Sequence, residues 1–356
     1  MLDYIVVGSG LAGISFCETL AGAGKSFRVI ADSSQQASRV AGGLYNPVIL
    51  KRFSLAWKAK EQLAIAQGFY KGLEAKLGLE LVHELPVLRR FASVEEQNNW
   101  FGAMDRPGLD QFLFPEIVPN GNPMLEAPLG FGKVLHTGKV DTRLLVDAYA
   151  AHLEAKGLLF REKFEHSALK FHADHLEYRS LRAKQLVLAC GFGLKTDPFF
   201  NYLPLNGTKG EMLLIQAPRY QEKKVIKASV FTIPRGDDHY LVGATYKWQD
   251  KSNEPTPAAR QELLHKLGSL LKCDYQVVDH MAGIRPTVVD RKPLVGRHPQ
   301  HKNLYVLNGL GSRGVMIGPY AARQLHRFIE GGQALDPDMD IARFTKKYYS
   351  GVPGTL

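Results

Sequence analysis

No stretch of this sequence approaches the roughly 18 consecutive apolar residues that a membrane helix needs, so a spanning segment is not expected. Cysteine is scarce. Cys17, Cys190 and Cys273 stand alone, with no paired spacing for a zinc site or a redox couple, and structural disulfides are not expected. A signal peptide is not expected either, because the apolar run Tyr4-Ile5-Val6-Val7 starts a strand almost at Met1. These absences point to a reduced, cytoplasmic protein without a metal site. Internal repeats and low-complexity segments are also missing. Hydrophobic residues make up 45% of the 356 and charged ones 22%, the balance of a globular chain long enough for two domains.

Charge of one sign is in excess. The net charge is +10, but the Lys and Arg residues are scattered, with small clusters at Lys223-Lys224 to Lys227 and at Arg343 to Lys347. A solvated surface and a docking face for a polyanion such as RNA both suit that pattern. No RNA-binding motif with base-stacking aromatics accompanies it.

What is present is glycine at strand ends. Gly8-Ser9-Gly10-Leu11-Ala12-Gly13 follows an apolar strand and opens a helix with Ile14, Cys17 and Leu20 on one face. Gly8 allows the tight turn, Gly10 lets a pyrophosphate approach the backbone, and Gly13 lets the helix lie close to the strand. A second strand, Val29-Ile30-Ala31, stops at Asp32, 19 residues past Gly13, where a carboxylate accepts ribose hydroxyls. An acid there disfavours a 2′-phosphate. An adenine dinucleotide is expected. The small-residue stretch from Ser38 to Pro47 leaves the second strand where a helix or strand is usual, and suits a loop beneath a flavin, so FAD is favoured over NAD. A second glycine turn, Asn308-Gly309-Leu310-Gly311-Ser312-Arg313-Gly314, lies some 300 residues later, between the strand 304–307 and another apolar-periodic helix. It presents bare backbone N–H groups to negative charge.

Between these turns the pattern alternates. Leu63, Ala66, Tyr70, Leu73 and Leu77 predict an amphipathic helix over 58–77. Residues 85–138 are rich in Pro and Gly with short apolar pieces. Asp141 predicts a helix cap, Gly157 its end, and 185–189 a buried parallel strand running into Cys190-Gly191. Strands are expected at 212–215, 230–233 and 239–246. The fold expected is α/β: a discontinuous Rossmann-like FAD-binding domain (1–57, 139–203 and 283–356) with a second, mostly antiparallel-sheet substrate domain (58–138 and 204–282).

The motifs GSGLAG (8–13), ASRVAGGLYNP (37–47), LVLACGFG (186–193), YLVGATY (240–246), AGIRPTVVDRKPLVG (282–296) and NGLGSRG (308–314) resemble, in this order and spacing, the D-amino-acid oxidase family of FAD-dependent oxidoreductases. The resemblance covers essentially the whole chain. The wording of GGLYNP, GATYKW and GLGSRG is similar to the FAD domain of the bifunctional bacterial enzyme that matures 5-methylaminomethyl-2-thiouridine in tRNA, whose methyltransferase half has no counterpart here.

The resemblance implies a flavin site formed by Gly8, Gly10, Leu11, Ala12, Gly13, Asp32, Ser33, Ser38, Ala41, Gly42, Gly43, Leu44, Phe164, Ala189, Cys190, Gly191, Gly311, Ser312, Arg313, Gly314, Val315 and Met316. It gives Arg285 the role of clamping a substrate carboxylate, Tyr246 that of an aromatic wall facing it, and Arg313 that of added positive charge at the flavin. The reaction implied is hydride transfer from Cα of an amino acid or N-substituted glycine to the flavin, followed by hydrolysis of the imine. A carboxymethyl group on a tRNA wobble uridine and a 2-hydroxy acid are alternative substrates. Leu241 stands where sarcosine oxidases carry an oxygen-activating lysine, and 286–300 lacks their flavin-linking cysteine, so FAD is expected to be noncovalent. A pyridine-nucleotide disulfide reductase is poorly supported, since neither a second G-x-G-x-x-G nor a C-x4-C is present.

Overall fold

The computed structural model describes residues 1–349. Strand β1, Leu2–Val7, leads into helix α1, Leu11–Gly22, and strand β2, Phe27–Ile30. Helix α2 spans Ala59–Leu77, and strands β3, Val87–Arg90, and β4, Phe131–Val134, follow. Helix α3, Thr142–Ala155, begins where the Asp141 carboxylate accepts from the Leu144 amide, as its sequence predicts. Strands β5, Leu159–Phe160, and β6, Leu181–Leu188, then precede β7, Thr208–Gln216, β8, Val225–Lys227, β9, Phe231–Gly236, and β10, His239–Gly243. Helix α4, Pro257–Gly268, strands β11, Gln276–Arg285, β12, Leu294–Arg297, and β13, Leu304–Asn308, and helix α5, Gly314–Gly331, complete the frame.

Two eight-stranded sheets result. In the first, β5, β2, β1, β6 and β13 run parallel, and β12 and a hairpin at 169–178 are antiparallel additions. Its central strand β1 is apolar from Tyr4 to Val7, where both faces are covered. Alternation sends Tyr4 and Val6 to the core beneath α1, and Ile5 and Val7 to a separate core with Leu194, Phe200 and Leu205. The second sheet has the order β11, β7, β10, β9, β8, β3, β4 and a final strand at 113–118. All its pairs are antiparallel except β8 with β3. Leu213, Ile215, Tyr240 and Val242 bury one face of it with α4, while Met212, Leu241 and Ile233 look the other way, toward the first sheet.

Several particulars differ from the reading of the sequence. Strand β10 ends at Gly243 rather than Tyr246, because Thr245 turns aside to accept from the Glu211 amide through Oγ1 at 3.0 Å. Residues 283–285, grouped above with the first domain, are the last three of β11 in the second sheet. Helix α2, grouped with the second, lies against α5, where the Tyr70 hydroxyl donates to the Val315 carbonyl at 2.9 Å. Its apolar stripe is the reason, since a helix docks wherever that stripe finds a partner. The C-terminal limit expected for the first domain, 350–356, lies outside the described residues.

The second core carries an acid-sensitive joint. His298, 4% exposed, accepts from the Gln300 and His301 amides at Nδ1, both at 3.2 Å, so its proton sits on Nε2 and is donated to the Phe199 carbonyl. Protonating Nδ1 would aim a donor at two donors. Burial, with His301 beside it, pushes this imidazole down to about 4. The folded pKa lies below the unfolded one, so the neutral ring's contribution is complete above the unfolded value, about 6.5, and is lost as pH falls toward 4. Thermal melts should therefore show stability declining over that window by on the order of 3 kcal/mol. His298→Asn, which keeps an acceptor but cannot titrate, should flatten the decline; an unchanged slope would assign it to other groups.

Candidate active site

The two glycine turns meet. Gly8 has φ +107°, and a Cβ on it would stand 2.5 Å from the Ala189 carbonyl oxygen at the end of β6. Only glycine tolerates that combination. Helix α5 packs on α1 through small residues: a Cβ on Gly314 would touch the Leu11 side chain at 3.1 Å, and one on Gly318 the Ser15 hydroxyl at 2.8 Å. This close packing brings the two helix N-termini side by side. Neither carries a side-chain cap from its own first residue, Gly10 or Arg313. The Leu11 amide donates to Ser38 Oγ at 3.1 Å, and the first turns of both helices line one cavity of about 660 Å³ at the carboxyl ends of the parallel strands.

That cavity gathers most of the residues expected from the sequence. Gly8, Gly10, Leu11 and Ala12 line it with Asp32, Ser38, Ala41, Gly42, Gly43 and Leu44. Phe164, Ala189, Cys190 and Gly191 form a further wall, and Gly311, Ser312, Arg313, Gly314 and Val315 another. Tyr246 and Arg285 close it from the second sheet. The stretch after β2 is a short helix, Ala37–Val40, and then a loop whose Leu44–Tyr45 pairs with 138–139. Gly43 has φ +72°, and a Cβ there would stand 1.9 Å from the Val140 carbonyl oxygen.

Three expected residues lie elsewhere. Gly13 is behind the wall, where a Cβ would meet the Gly8 carbonyl oxygen at 1.9 Å; its role is to let α1 lie on β1. Ser33 is exposed and outside the lining, because Asp32 Oδ1 accepts from both the amide and the hydroxyl of Ser34, a turn that points Ser34 and Gln35 inward instead. Met316 is 1% exposed in the core. One helical residue is a rotation of about 100°, enough to carry it off the face that Val315 shares with the cavity.

Arg285 Nη1 donates to the Thr245 carbonyl at 3.2 Å, and Cζ lies 4.4 Å from the centre of the Tyr246 ring. The ion pair with Asp290 that its sequence neighbourhood allows is not made; Asp290 holds Arg343 instead. Among the described residues no carboxylate reaches Arg285 within 4.0 Å. Burial pushes its guanidinium below the ordinary arginine range, while the Tyr246 phenol acts the other way. Arg313 is in the same condition: burial first, then Arg291, lower it, and no acid pairs with it among the described residues. Two half-buried cations without counter-ions among the described residues thus face one cavity, a state that favours an anionic occupant. Sequence reasoning missed what makes room for the first. A Cβ on Gly210 would stand 2.0–2.2 Å from Arg285 Nη2, Cζ and Nη1, so the missing side chain on β7 is the guanidinium's seat. It also missed Met212, Ile233 and Gly243, which line the cavity from the same sheet face.

Elsewhere, His172, His175 and Glu177 bring ligand atoms within 4.8 Å of one another on the hairpin. Arg182 donates into that group at His175 Nε2, 2.9 Å away, so a metal ion there would meet a guanidinium. No helix among the described residues is long and apolar enough to cross a membrane.

Paired glycine turns, a carboxylate at the end of β2 and an arginine-walled pocket on an antiparallel sheet define a dinucleotide-binding oxidoreductase. Residues 3–327 match the family of FAD dependent oxidoreductases, DAO, and the chain belongs to it. The chain is similar to glycine oxidase of Pseudomonas aeruginosa, at 26% identity over 358 residues, covering 94% of this chain and 96% of that one. It is also similar to the tRNA 5-methylaminomethyl-2-thiouridine biosynthesis bifunctional protein MnmC of Marinobacter nauticus, at 24% identity, over 90% of this chain and 54% of that protein. The crystal structure of glycine oxidase from Geobacillus kaustophilus shares its fold, with a TM-score of 0.78 at 20% identity, covering 96% of this chain and 97% of that one. The protein is an FAD-dependent oxidoreductase.

The two helix N-termini and the glycine cradle fit FAD. Of the three cysteines only Cys190 lines the cavity, and burial pushes its thiol up, so it stays protonated and is a poor nucleophile. Acid precipitation of the purified yellow protein should therefore leave the flavin in the supernatant. Colour retained in the pellet would mean a covalent link.

Proposed function

We propose that this chain oxidises the Cα–N bond of an amine that carries a carboxylate, an amino acid or N-substituted glycine. The observation that carries this reading is Arg285: a half-buried guanidinium, open to the cavity, with no carboxylate of its own among the described residues. Its planar fork suits a carboxylate in two-point fashion. Bound FAD supplies the two-electron acceptor for the hydride on Cα. The residues of the chain do the rest by position and charge. The Thr245 carbonyl and the Tyr246 ring hold the guanidinium on one side, and Gly210 leaves it space on the other. The N-terminus of α5, with Arg313 at its cap, offers positive potential where electron density is gained. Met212 and Ile233 give the pocket an apolar wall that limits water. The resulting imine is hydrolysed by water. The similarity to glycine oxidase supports the amine as donor.

A second reading, an N-carboxymethyl group carried on a tRNA wobble uridine, is favoured by a separate observation. Tyr246, which lines the cavity, and Trp248, two residues on, are 58% and 47% exposed, aromatic surfaces suited to stacking a base. The similarity to MnmC supports it as well. The test is flavin bleaching without oxygen. Glycine, sarcosine or proline should reduce the flavin under the first reading, and undermodified tRNA under the second, with a response that falls steeply with salt. Bleaching by 2-hydroxy acids alone would overturn both.

A further inference from the structure

A second unpaired cation lies on the cavity face of the second sheet, far from Arg285. Register places Met281 opposite Met212, Met212 opposite Gly243, Gly243 opposite Phe231, and Phe231 opposite Lys227. Directly opposed residues share a face, so this rung puts Lys227 on the side of Met212 and Ile233, and Arg285, four residues past Met281, on the same side. Four strand spacings, about 19 Å, separate their strands.

Lys227 lines the same cavity as Arg285. Its ammonium sits over the Phe231 ring, 4.2 Å from the centroid, and no carboxylate pairs with it among the described residues. The charged groups acting on it are cations with acids of their own: Arg89 holds Glu96, and Lys266 holds Glu262. Burial, then Arg89 and Lys266, push the ammonium down to about 8. A largely buried charge without a partner is costly, and an anionic ligand would relieve it. Ser229 lines the same cavity, and its exposed hydroxyl makes only a long bond, 3.4 Å, to the Lys266 carbonyl.

We infer that Lys227 and Ser229 form a distal anion subsite, which takes a second carboxylate or a phosphate of an elongated substrate while Arg285 holds the carboxylate beside the reacting bond. The inference rests on the reading of Arg285 given above. It makes the preferred substrate a long molecule with negative charge at both ends rather than a free small amino acid.

The test is ligand binding to the FAD-loaded protein, read from the flavin absorbance without oxygen. The probes are N-decylglycine, its ω-carboxylated counterpart and the ω-phosphate ester. The wild type should bind the ω-anions at least tenfold more tightly than N-decylglycine; Lys227→Met should bring the ratio close to one, and Lys227→Arg should keep it. Melting temperatures establish that the variants are folded. A wild type without preference, or a Lys227→Met protein that retains it, overturns the subsite. Tighter binding of the phosphate ester assigns the subsite to a nucleotide-like substrate, and tighter binding of the dicarboxylate to a diacid. Probes that bind with the expected pattern yet never reduce the flavin would overturn the amine-oxidation reading and leave the subsite standing.

Discussion

Arg285→Leu should leave FAD bound and the fold intact while kcat/KM for a carboxylated amine falls by roughly 30- to 5,000-fold, the equivalent of about 2–5 kcal/mol for a lost charge pair in a closed site. The direction follows from the absence of any competing carboxylate. Since Arg285 spends its charge on no other acid among the described residues, its loss strands only the ligand. A companion substitution separates clamping from mere positive charge. In Gly210→Ala the added methyl group would stand 2.0–2.2 Å from three guanidinium atoms, and the flexible end of Arg285 would have to move. That protein keeps every charge and should still lose substrate affinity, through KM more than kcat, with its melting temperature nearly unchanged. Normal turnover of the best acid substrate by Arg285→Leu would remove the carboxylate clamp from the mechanism. Normal KM in Gly210→Ala would show that the guanidinium need not sit where it does.

Gly13→Ala should have the largest effect on cofactor and stability together. Its Cβ would fall 1.9 Å from the Gly8 carbonyl oxygen, a backbone atom that cannot swing away as a side chain can. Relief requires α1 to lift from β1, which opens the core around Val6, Ile14 and Val187 and withdraws the first helix N-terminus from the cavity. Overpacking of this kind costs about 1–3 kcal/mol or more. The purified variant should melt several degrees lower and retain little flavin. Gly22→Ala is the matched control: nothing lies within 4 Å of the added methyl, and flavin content should be that of the wild type. If the two variants bound FAD equally well, the close contact of helix and strand would not be what holds the cofactor site open.

How far the site was legible depends on how local its causes are. A tight turn with positive φ is dictated by a few consecutive residues, so the glycine turns at 8–13 and 308–314 could be read directly. The same holds for the Asp141 cap, the apolar run of β6 and the stripe of α2. Asp32 lines the cavity, and Ser33 beside it does not. Its carboxylate binds Ser34, and that one turn sends Ser33 to solvent. Met316 lies off the cavity for a similar reason, the rotation of a single helical residue. Arg285 and Tyr246 were named from family resemblance, and their mutual stacking was visible only once β11 and the end of β10 lay in one sheet.

The sequence by itself determined the local geometry of this protein: two glycine turns opening helices, an acid after the second strand, alternating strands and an arginine in a Gly-Ile-Arg-Pro stretch. Only the tertiary structure decided what those pieces face. Gly210 became the seat of Arg285 because β7 pairs with β11 some 75 residues later, with Gly210 opposite Gly283. Lys227 joined the cavity because the register of four neighbouring strands put it on the face of Met212 rather than that of Leu213. A shift of one residue in any of those pairs would turn it to the other side. Such registers are set by the summed burial of distant side chains, and no short window of sequence contains them.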